Sequence, residues 1–264
     1  MRSTLDGSWS LVLGASSGMG AAAARAIAGA GGNVVGVHLD AGERRHAAAA
    51  LAEELRGHGV DVEFFNANAA SAGVRREVVG RLAELAADRG VRVVLHSVAF
   101  GSLVPFVGDA GAERLTQRQM DMTLDVMAHS LVYWVQDLCS AGLLRPGAKV
   151  LAMTSAGDQR VAPNYGAVSA AKCALESHVR QLALELAPAG VAVNALRAGV
   201  TLTPALQRIP GHELIVERVR STHPHGRLTQ PDDVAEAVVL LASSDSSWVT
   251  GNVIGVDGGE ALTA

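Results

Sequence analysis

Hydrophobic and polar positions follow two alternating patterns along the chain. Short apolar runs rich in Val and Leu are separated by longer Ala-rich segments in which apolar residues recur every three or four positions. The short runs predict strands covered on both faces, and the longer segments predict helices. The predicted strands are 10–13, 33–37, 60–65, 91–95, 149–153, 191–194 and 252–256. This alternation favours an α/β fold, namely a Rossmann-like, doubly wound parallel sheet of about seven strands with helices on both faces.

The helical segments continue the same pattern to the end of the chain. They are 18–30, 44–57, 74–89, 114–141, 165–187 and 231–242. No repeat or linker interrupts them, so residues 1–264 are predicted to form a single domain. Residues 200–226 differ, because they contain several Pro, Gly and His residues and follow the carboxyl end of a strand, where open α/β sheets bind ligands. A mobile substrate lid and an ordinary surface excursion both agree with this segment.

Composition and charge narrow the class of protein. Of the 264 residues 49% are hydrophobic, and the net charge of −4 offers no basic footprint for nucleic acid. No basic run would bind a membrane surface, and the N-terminal apolar stretch is too short for a signal peptide or a membrane span. We therefore expect a cytoplasmic protein that binds neither nucleic acid nor membranes. The two cysteines, Cys139 and Cys173, form no disulfide or metal pattern and are expected to pack inside helices.

A glycine-rich turn joins the first predicted strand to the first helix. Gly14, Gly18 and Gly20 are spaced Gly-x-x-x-Gly-x-Gly. Glycines allow a sharp turn and a close approach of the backbone to a pyrophosphate, and the helix N-terminus presents amide donors to it. This turn predicts a dinucleotide site, although any tight strand–helix turn can use glycines.

Tyr165 and Lys172 are the strongest candidates for chemistry. Seven steps of about 100° give roughly 700°, so the two side chains can share one helix face. An ammonium near a phenol lowers the phenol's pKa, and the phenol can give its proton to an oxygen that gains charge. The pair would then act on a substrate that accepts hydride from the predicted dinucleotide. An ordinary helix can also contain one Tyr and one Lys.

Over almost its whole length the chain resembles the short-chain dehydrogenase/reductase family. The glycine turn is one match, and 198–203, 231–234 and 249–259 match the nicotinamide loop and the C-terminal segments, with Ala198 where Pro is usual. The resemblance implies a nicotinamide cofactor, with Asn68 beside the adenine. The residues implied to bind the cofactor are Gly14, Ser16, Ser17, Gly18, Met19, Gly20, His38, Asp40, Asn68, Ala69, Ser97, Val98, Ala99, Lys172, Ala198, Gly199, Val200 and Thr203.

The choice between NADH and NADPH depends on the end of the second strand. Asp40 can accept hydrogen bonds from the adenosine ribose and repel a 2′-phosphate, although His38 occupies the usual place of the acid. Neither Ser17 nor Asp40 is basic; Arg44 and Arg45 are candidates to contact a phosphate, but a solvated helix start explains them more simply. These residues favour NADH over NADPH.

The spacing of the Tyr and Lys separates this chain from most of the family. Most members have Tyr-x-x-x-Lys, and Val168 occupies that Tyr position here. The longer Tyr-x6-Lys spacing resembles the spacing in the enoyl-acyl-carrier-protein reductases. Residues 95–101 and 124–126 also resemble the corresponding segments of those enzymes. Hydride addition to the β-carbon of an enoyl thioester places charge on an oxygen two carbons away, so the acid must stand elsewhere than for a ketone. Tyr165 then serves the enolate oxygen, and Lys172 holds the nicotinamide ribose.

Ser155 is the third candidate catalytic residue. Many enoyl reductases have a second Tyr there, ordinary ketone reductases have their catalytic Ser there, and a minority of enoyl reductases combine Ser with Tyr-x6-Lys. The implied substrate is a 2-enoyl thioester, carried on acyl carrier protein or on coenzyme A, and the implied assembly is a homotetramer through 114–141 and 165–187. A carbonyl or alcohol oxidoreductase, and a protein that senses the nucleotide without chemistry, remain as alternatives. No metal site is predicted, because the loop pair His223 and His225 lacks a fixed ligand geometry.

Overall fold

Seven parallel strands form one sheet in a computed structural model that describes residues 5–108, 113–158 and 161–263. The strand order is β3-β2-β1-β4-β5-β6-β7. The strands are β1 (Trp9–Leu13), β2 (Asn33–His38), β3 (Val62–Asn66), β4 (Val91–His96), β5 (Lys149–Ser155), β6 (Ala192–Ala198) and β7 (Val253–Val256). Each lies where the hydrophobic pattern predicts a strand, so the predicted doubly wound α/β fold is confirmed.

Helices connect the strands and cover both faces of the sheet. The α-helices are α1 (Gly18–Gly29), α2 (Glu43–Arg56), α3 (Ala72–Leu85), α4 (Gln117–Leu124), α5 (Ser130–Ser140), α6 (Gly166–Leu186), α7 (His212–Thr222), α8 (Pro231–Ala242) and α9 (Glu260–Thr263). Short 3₁₀ turns occupy Ala156–Asp158, Ala187–Ala189 and Leu206–Arg208. None of the described helices has both the length and the apolar character that a membrane span requires.

One helical prediction needs correction, and two helices lie outside the predicted segments. The segment 114–141 is not one uniform α-helix, because α4 and α5 are joined by a π-helical turn at Asp125–His129. Its start at Gln117 is set by Thr116, whose hydroxyl accepts the Gln119 amide in a capping box. The segment 200–226 contains α7, and the C-terminus contains α9, neither of which the sequence pattern predicts.

Two apolar layers enclose the sheet. One layer packs α3, α5 and α6 against it around Leu131, Trp134 and Leu175, all of which are fully buried. The other packs α1, α2 and α8 against it around Ile27, Leu55 and Val238. Burial of each such side chain contributes about 1.5–3 kcal/mol.

The topology creates a crevice between β1 and β4. Leu13 at the end of β1 pairs with Val37 of β2 on one side and with His96 of β4 on the other. Connections leave β1 and β4 in opposite directions across the sheet, and this switch point is where doubly wound sheets bind ligands. The predicted cofactor residues follow the carboxyl ends of the strands beside it.

Candidate active site

The glycine turn after β1 depends on contacts that only glycine permits. Gly14 has φ +88°, and a Cβ there would lie 2.3 Å from the Ser97 carbonyl oxygen after β4. A Cβ on Gly20 would lie 2.0 Å from the Gly14 carbonyl oxygen. The turn therefore packs backbone against backbone, which brings the N-terminus of α1 to the end of β1 and β4.

The start of α1 faces the loop that follows β6. Ser17 is the N-cap residue of α1, and its hydroxyl makes no capping bond to the helix. A Cβ on Gly18 would stand 3.5 Å from Thr203 Cγ2, so the turn and the 198–203 loop are neighbours. Ser16 and Met19 flank these positions and are partly exposed. Free amides and a glycine cradle at a helix start suit a pyrophosphate, so the residues present fit a dinucleotide.

Asp40 is fixed at the end of β2. Its Oδ2 lies 3.0 Å from His38 Nδ1, and Arg44 Nε approaches its Oδ1 at 3.7 Å. The Asn66 side chain accepts from the Asp40 amide and donates to the Asp40 carbonyl, both at 2.9 Å. The carboxylate is thus held beside a buried imidazole while Arg44 stays largely exposed.

Two further predicted cofactor segments follow β3 and β4. Asn68 is exposed, and its Oδ1 accepts the Ala70 amide at 3.0 Å. The Ala69 carbonyl accepts from Trp134 Nε1 at 2.8 Å, which ties this turn to the core. The Ser97 amide bonds the Leu13 carbonyl at 2.8 Å, so 97–99, which includes Val98 and Ala99, leaves the sheet beside the glycine turn.

A glutamate side chain near the C-terminus holds the 198–203 loop. Glu260 in α9 is buried, and its Oε2 accepts the Val200 amide at 2.7 Å. A Cβ on Gly199 would lie 2.3 Å from Thr229 Oγ1 and 2.8 Å from Glu260 Oε2, so the loop packs tightly over Ala198. Sequence reasoning did not select Glu260, and the only local signal is an acid directly after Gly258-Gly259.

Tyr165 and Ser155 are brought together. Their hydroxyl oxygens are 3.4 Å apart, and the Gly157 amide donates to Ser155 Oγ, also at 3.4 Å. Tyr165 is the N-cap residue of α6 and follows Asn164, which has φ +63°. A Cβ on Gly157 would lie 2.3 Å from Tyr165 Cε1, so the ring rests on the glycine backbone. The phenol is therefore placed by a loop rather than by the helix that contains Lys172.

Lys172 is buried in the same region. Its Nζ donates to the Met153 carbonyl at 2.7 Å, two residues before Ser155. Burial lowers the pKa of Lys172 to about 8, while the carboxylate of Glu176, one helical turn away, opposes that shift. Glu176 is itself buried and accepts from Thr154 Oγ1 at 2.7 Å. Glu176 thus favours the charged form of Lys172, but burial outweighs it and the pKa is lowered on balance.

Val168 fills the place that Tyr takes in most of the family. It is 5% exposed and packs with Met127 and Ala171. A Cβ on Gly101 would lie 2.7 Å from Val168 Cγ2, so Val168 packs directly against the backbone at Gly101. Tyr165 packs at the edge of the same cluster.

Some expectations about other side chains are wrong or unsupported. Cys139 and Cys173 are exposed rather than buried, because both lie on the outward faces of α5 and α6. His129 Nδ1 lies 3.0 Å from His178 Nε2, so these two partly exposed side chains contact each other. Across the described ranges, no group of three or more His, Cys, Asp or Glu side chains could hold a metal ion.

Similarity to known proteins agrees with this geometry. The family model described as "Enoyl-(Acyl carrier protein) reductase" matches residues 14–260. An enoyl-[acyl-carrier-protein] reductase [NADH] of Aquifex aeolicus is 31% identical over 167 residues, which span 63% of this chain and 61% of that protein.

Two solved structures have closely similar folds. The crystal structure of the enoyl-[acyl-carrier-protein] reductase (NADH) from Aquifex aeolicus superposes with a TM-score of 0.82 at 24% identity, covering 98% of both chains. That of a 3-oxoacyl-[acyl-carrier protein] reductase from Brucella melitensis in complex with NAD also gives 0.82, at 26% identity over 97% of this chain and 98% of that one. The fold therefore does not distinguish the two reactions. The chain belongs to the short-chain dehydrogenase/reductase family of NAD(P)-dependent oxidoreductases and is similar to its enoyl-acyl-carrier-protein reductases.

Proposed function

We propose that the protein reduces the C=C bond of a 2-enoyl thioester, with hydride supplied by a bound reduced nicotinamide. The observation that carries this proposal is the position of the phenol. Tyr165 precedes α6, whereas Val168 is packed inside the helix where a ketone-reducing Tyr would stand. Three residues of helix correspond to a displacement of about 4.5 Å along its axis. A proton donor moved by this amount suits an oxygen remote from the carbon that receives hydride.

Each side chain then has a defined task. The Tyr165 hydroxyl hydrogen-bonds the thioester oxygen, stabilises the enolate charge that develops there and supplies its proton. The Ser155 hydroxyl, 3.4 Å away, contributes a second donor to the same oxygen. Lys172 holds the ribose beside the nicotinamide, and its positive charge favours the ionised phenol. The 3.4 Å separation shortens when substrate is bound, because catalytic hydrogen bonds are often long without it.

The cofactor residues support a nicotinamide dinucleotide, and we infer a preference for NADH. The carboxylate of Asp40 stands at the end of β2, where the adenosine ribose binds in doubly wound folds. A negative charge at this place repels a 2′-phosphate. The Asp40 carboxylate is held in place by His38 at 3.0 Å, and the largely exposed Arg44 approaches it at 3.7 Å.

One observation favours carbonyl reduction as the second candidate. The Ser155 and Tyr165 hydroxyls form a neighbouring pair, and such a pair can also grip the oxygen of a ketone. The Brucella melitensis reductase, named for a 3-oxoacyl substrate, has the same fold.

The deciding experiment is a matrix of substrates and cofactors on the purified protein. We expect oxidation of NADH with crotonyl thioesters on acyl carrier protein and on coenzyme A, and little turnover of a panel of ketones and 3-oxoacyl thioesters. Turnover confined to the carbonyl panel would contradict the proposal. Cofactor binding without turnover of either panel would instead favour a nucleotide sensor.

The homotetramer remains a prediction. We expect the faces of α4, α5 and α6 to pack between subunits, in the manner implied by the family. Light scattering coupled to size exclusion would give a mass near four times 27.1 kDa if this is right.

A further inference from the structure

His96 is a buried imidazole at the centre of the site. It is the last residue of β4, its exposure is 0%, and its Nε2 lies 2.8 Å from Ser130 Oγ. Ser130 begins α5, and its hydroxyl donates to the Val126 carbonyl in the π-helical turn at 2.8 Å. The ring is thus connected through Ser130 to the π-helical turn that joins α4 and α5.

These two bonds fix the tautomer of the ring. A serine hydroxyl has a single hydrogen, and Ser130 uses it on the Val126 carbonyl. The bond between Ser130 and His96 must therefore be donated by Nε2–H of the imidazole. Nδ1 of a neutral His96 is then a lone-pair acceptor, and it has no hydrogen-bond partner among the described residues although it is buried.

Lys172 is the neighbour that can use this acceptor. His96 pairs with Ala152 of β5, and the next residue, Met153, accepts from Lys172 Nζ. Burial and, secondly, the charge of Lys172 lower the pKa of His96 to about 3, so the ring is neutral near pH 7. An ammonium has three N–H donors, of which one is bonded to Met153.

The other groups around Lys172 have different roles. Glu176 of α6 opposes the burial shift of Lys172 and accepts from Thr154 of β5. Tyr165 and Ser155 stand at the loop end of the same region. Among these groups His96 is the one whose buried acceptor has no protein donor.

We propose that His96 is a positioning residue for Lys172, whose ammonium is linked to His96 Nδ1 by one buried water bonded to both. No described protein donor lies within hydrogen-bonding distance of Nδ1, and a buried polar atom beside a donor-rich ammonium suits a bridging water. An acceptor for the ammonium stabilises its charged form. The link therefore favours the protonated form of Lys172 and leaves its remaining N–H to face the ribose. The contact with the ribose rests on the role of Lys172 under the proposed function.

The test compares two amides that mimic different nitrogens of the ring. In His96→Asn the carbonyl oxygen replaces the Nδ1 acceptor, whereas in His96→Gln the amide replaces the Nε2 donor and the Nδ1 acceptor is lost. The chain contains only two lysines, Lys149 and Lys172, so protein labelled at lysine side chains gives two titrating NMR signals. Lys149→Arg assigns them, and Lys149 is the internal reference.

We expect His96→Gln to lower the pKa of Lys172 by about one unit, a tenfold change in its ionisation constant, and His96→Asn to leave it within about 0.3 unit. Equal shifts in both variants, or no shift in either, would overturn the proposal. If His96→Gln does not fold, ¹⁵N shifts of the wild-type imidazole decide, because a protonated Nδ1 would contradict the assigned tautomer.

Activity supplies a second readout. Lys172 acts in its charged form, so kcat/KM falls as pH rises through its pKa. This alkaline limb should move to lower pH in His96→Gln and stay in place in His96→Asn. The NMR titration needs no substrate, so a shift of Lys172 without turnover of any enoyl thioester would sink the proposed function and leave the role of His96 intact.

Discussion

The two ends of the crevice between β1 and β4 are built by different means. At the glycine turn, backbone touches backbone, since Gly14 adjoins the Ser97 carbonyl and Gly20 adjoins the Gly14 carbonyl. At the proposed catalytic end, the Tyr165 and Ser155 hydroxyl oxygens are 3.4 Å apart, at the long end of hydrogen-bonding distances. The first end is packed without a ligand, whereas we expect the second to tighten around a substrate, because catalytic hydrogen bonds are often long without one. Binding and chemistry should therefore respond separately to mutation.

The largest expected effect is that of Tyr165→Phe. Loss of the proton donor should reduce kcat by roughly 10²–10⁴, while the cofactor Kd stays the same because the glycine turn is untouched. Steady-state kinetics and cofactor titration by fluorescence would measure the two quantities. The other tyrosine of the chain, Tyr133, lies 37% exposed on α5 and serves as the control through Tyr133→Phe. A kcat of Tyr165→Phe within twofold of the wild type would remove the phenol from the mechanism.

Gly20→Ala should disrupt the glycine turn at the opposite end of the crevice. A Cβ 2.0 Å from a carbonyl oxygen cannot be relieved by a rotamer, so we expect a loss of about 1–3 kcal/mol in the free energy of unfolding, together with weaker cofactor binding. Gly29→Ala in the same helix is the control, because nothing lies within 4 Å of its Cβ and helix propensity should stabilise it by roughly 0.5–1 kcal/mol. Urea unfolding measures both. Equal stabilities of the two variants would contradict the packed-turn interpretation.

Asp40→Arg should give the smallest change. It tests the part of the dinucleotide site where the adenosine ribose is proposed to bind. A guanidinium in place of the carboxylate should raise the ratio of NADPH to NADH efficiency by about tenfold, equivalent to ~1.4 kcal/mol, near the low end for a hydrogen bond to a charged group. Kinetics with both cofactors would measure the ratio. Asp61→Arg makes the same charge change just before β3, at the opposite, amino-terminal end of the strands, and should leave the ratio unaltered. An unchanged ratio in Asp40→Arg would remove Asp40 from ribose recognition.

Sequence patterns predicted the central strands well because β1, β2, β4, β5 and β6 are buried almost throughout. An apolar stretch such as Val93–Leu95 at the middle of β4 has few alternatives to a central parallel strand. The glycine turn was predictable for a related reason, since its spacing reflects local backbone geometry. The residues that determine such strands and turns are close together in the sequence, so a local pattern is enough to predict them.

Sequence patterns did not predict the features that depend on residues far apart along the chain. The π-helical turn at Asp125–His129 has the composition of an ordinary helix, and its Val126 carbonyl is satisfied by Ser130, which also meets His96 from β4. Glu260 reaches the Val200 amide across 60 positions of sequence. The fully buried state of His96 and the outward position of Cys139 likewise follow from packing, which hydrophobic periodicity alone does not resolve.

Because Tyr165 lies just outside α6, we expect that exchanging alkene for carbonyl reduction in this protein would require more than one substitution. Moving the phenol into the helix would require Val168 to give way, and Gly101 and Met127 already occupy the space beside it. Natural divergence between carbonyl and alkene reduction would thus proceed by coordinated change of the loop and the cluster. Laboratory attempts to convert this scaffold by exchanging the single phenol should stall for the same steric reason.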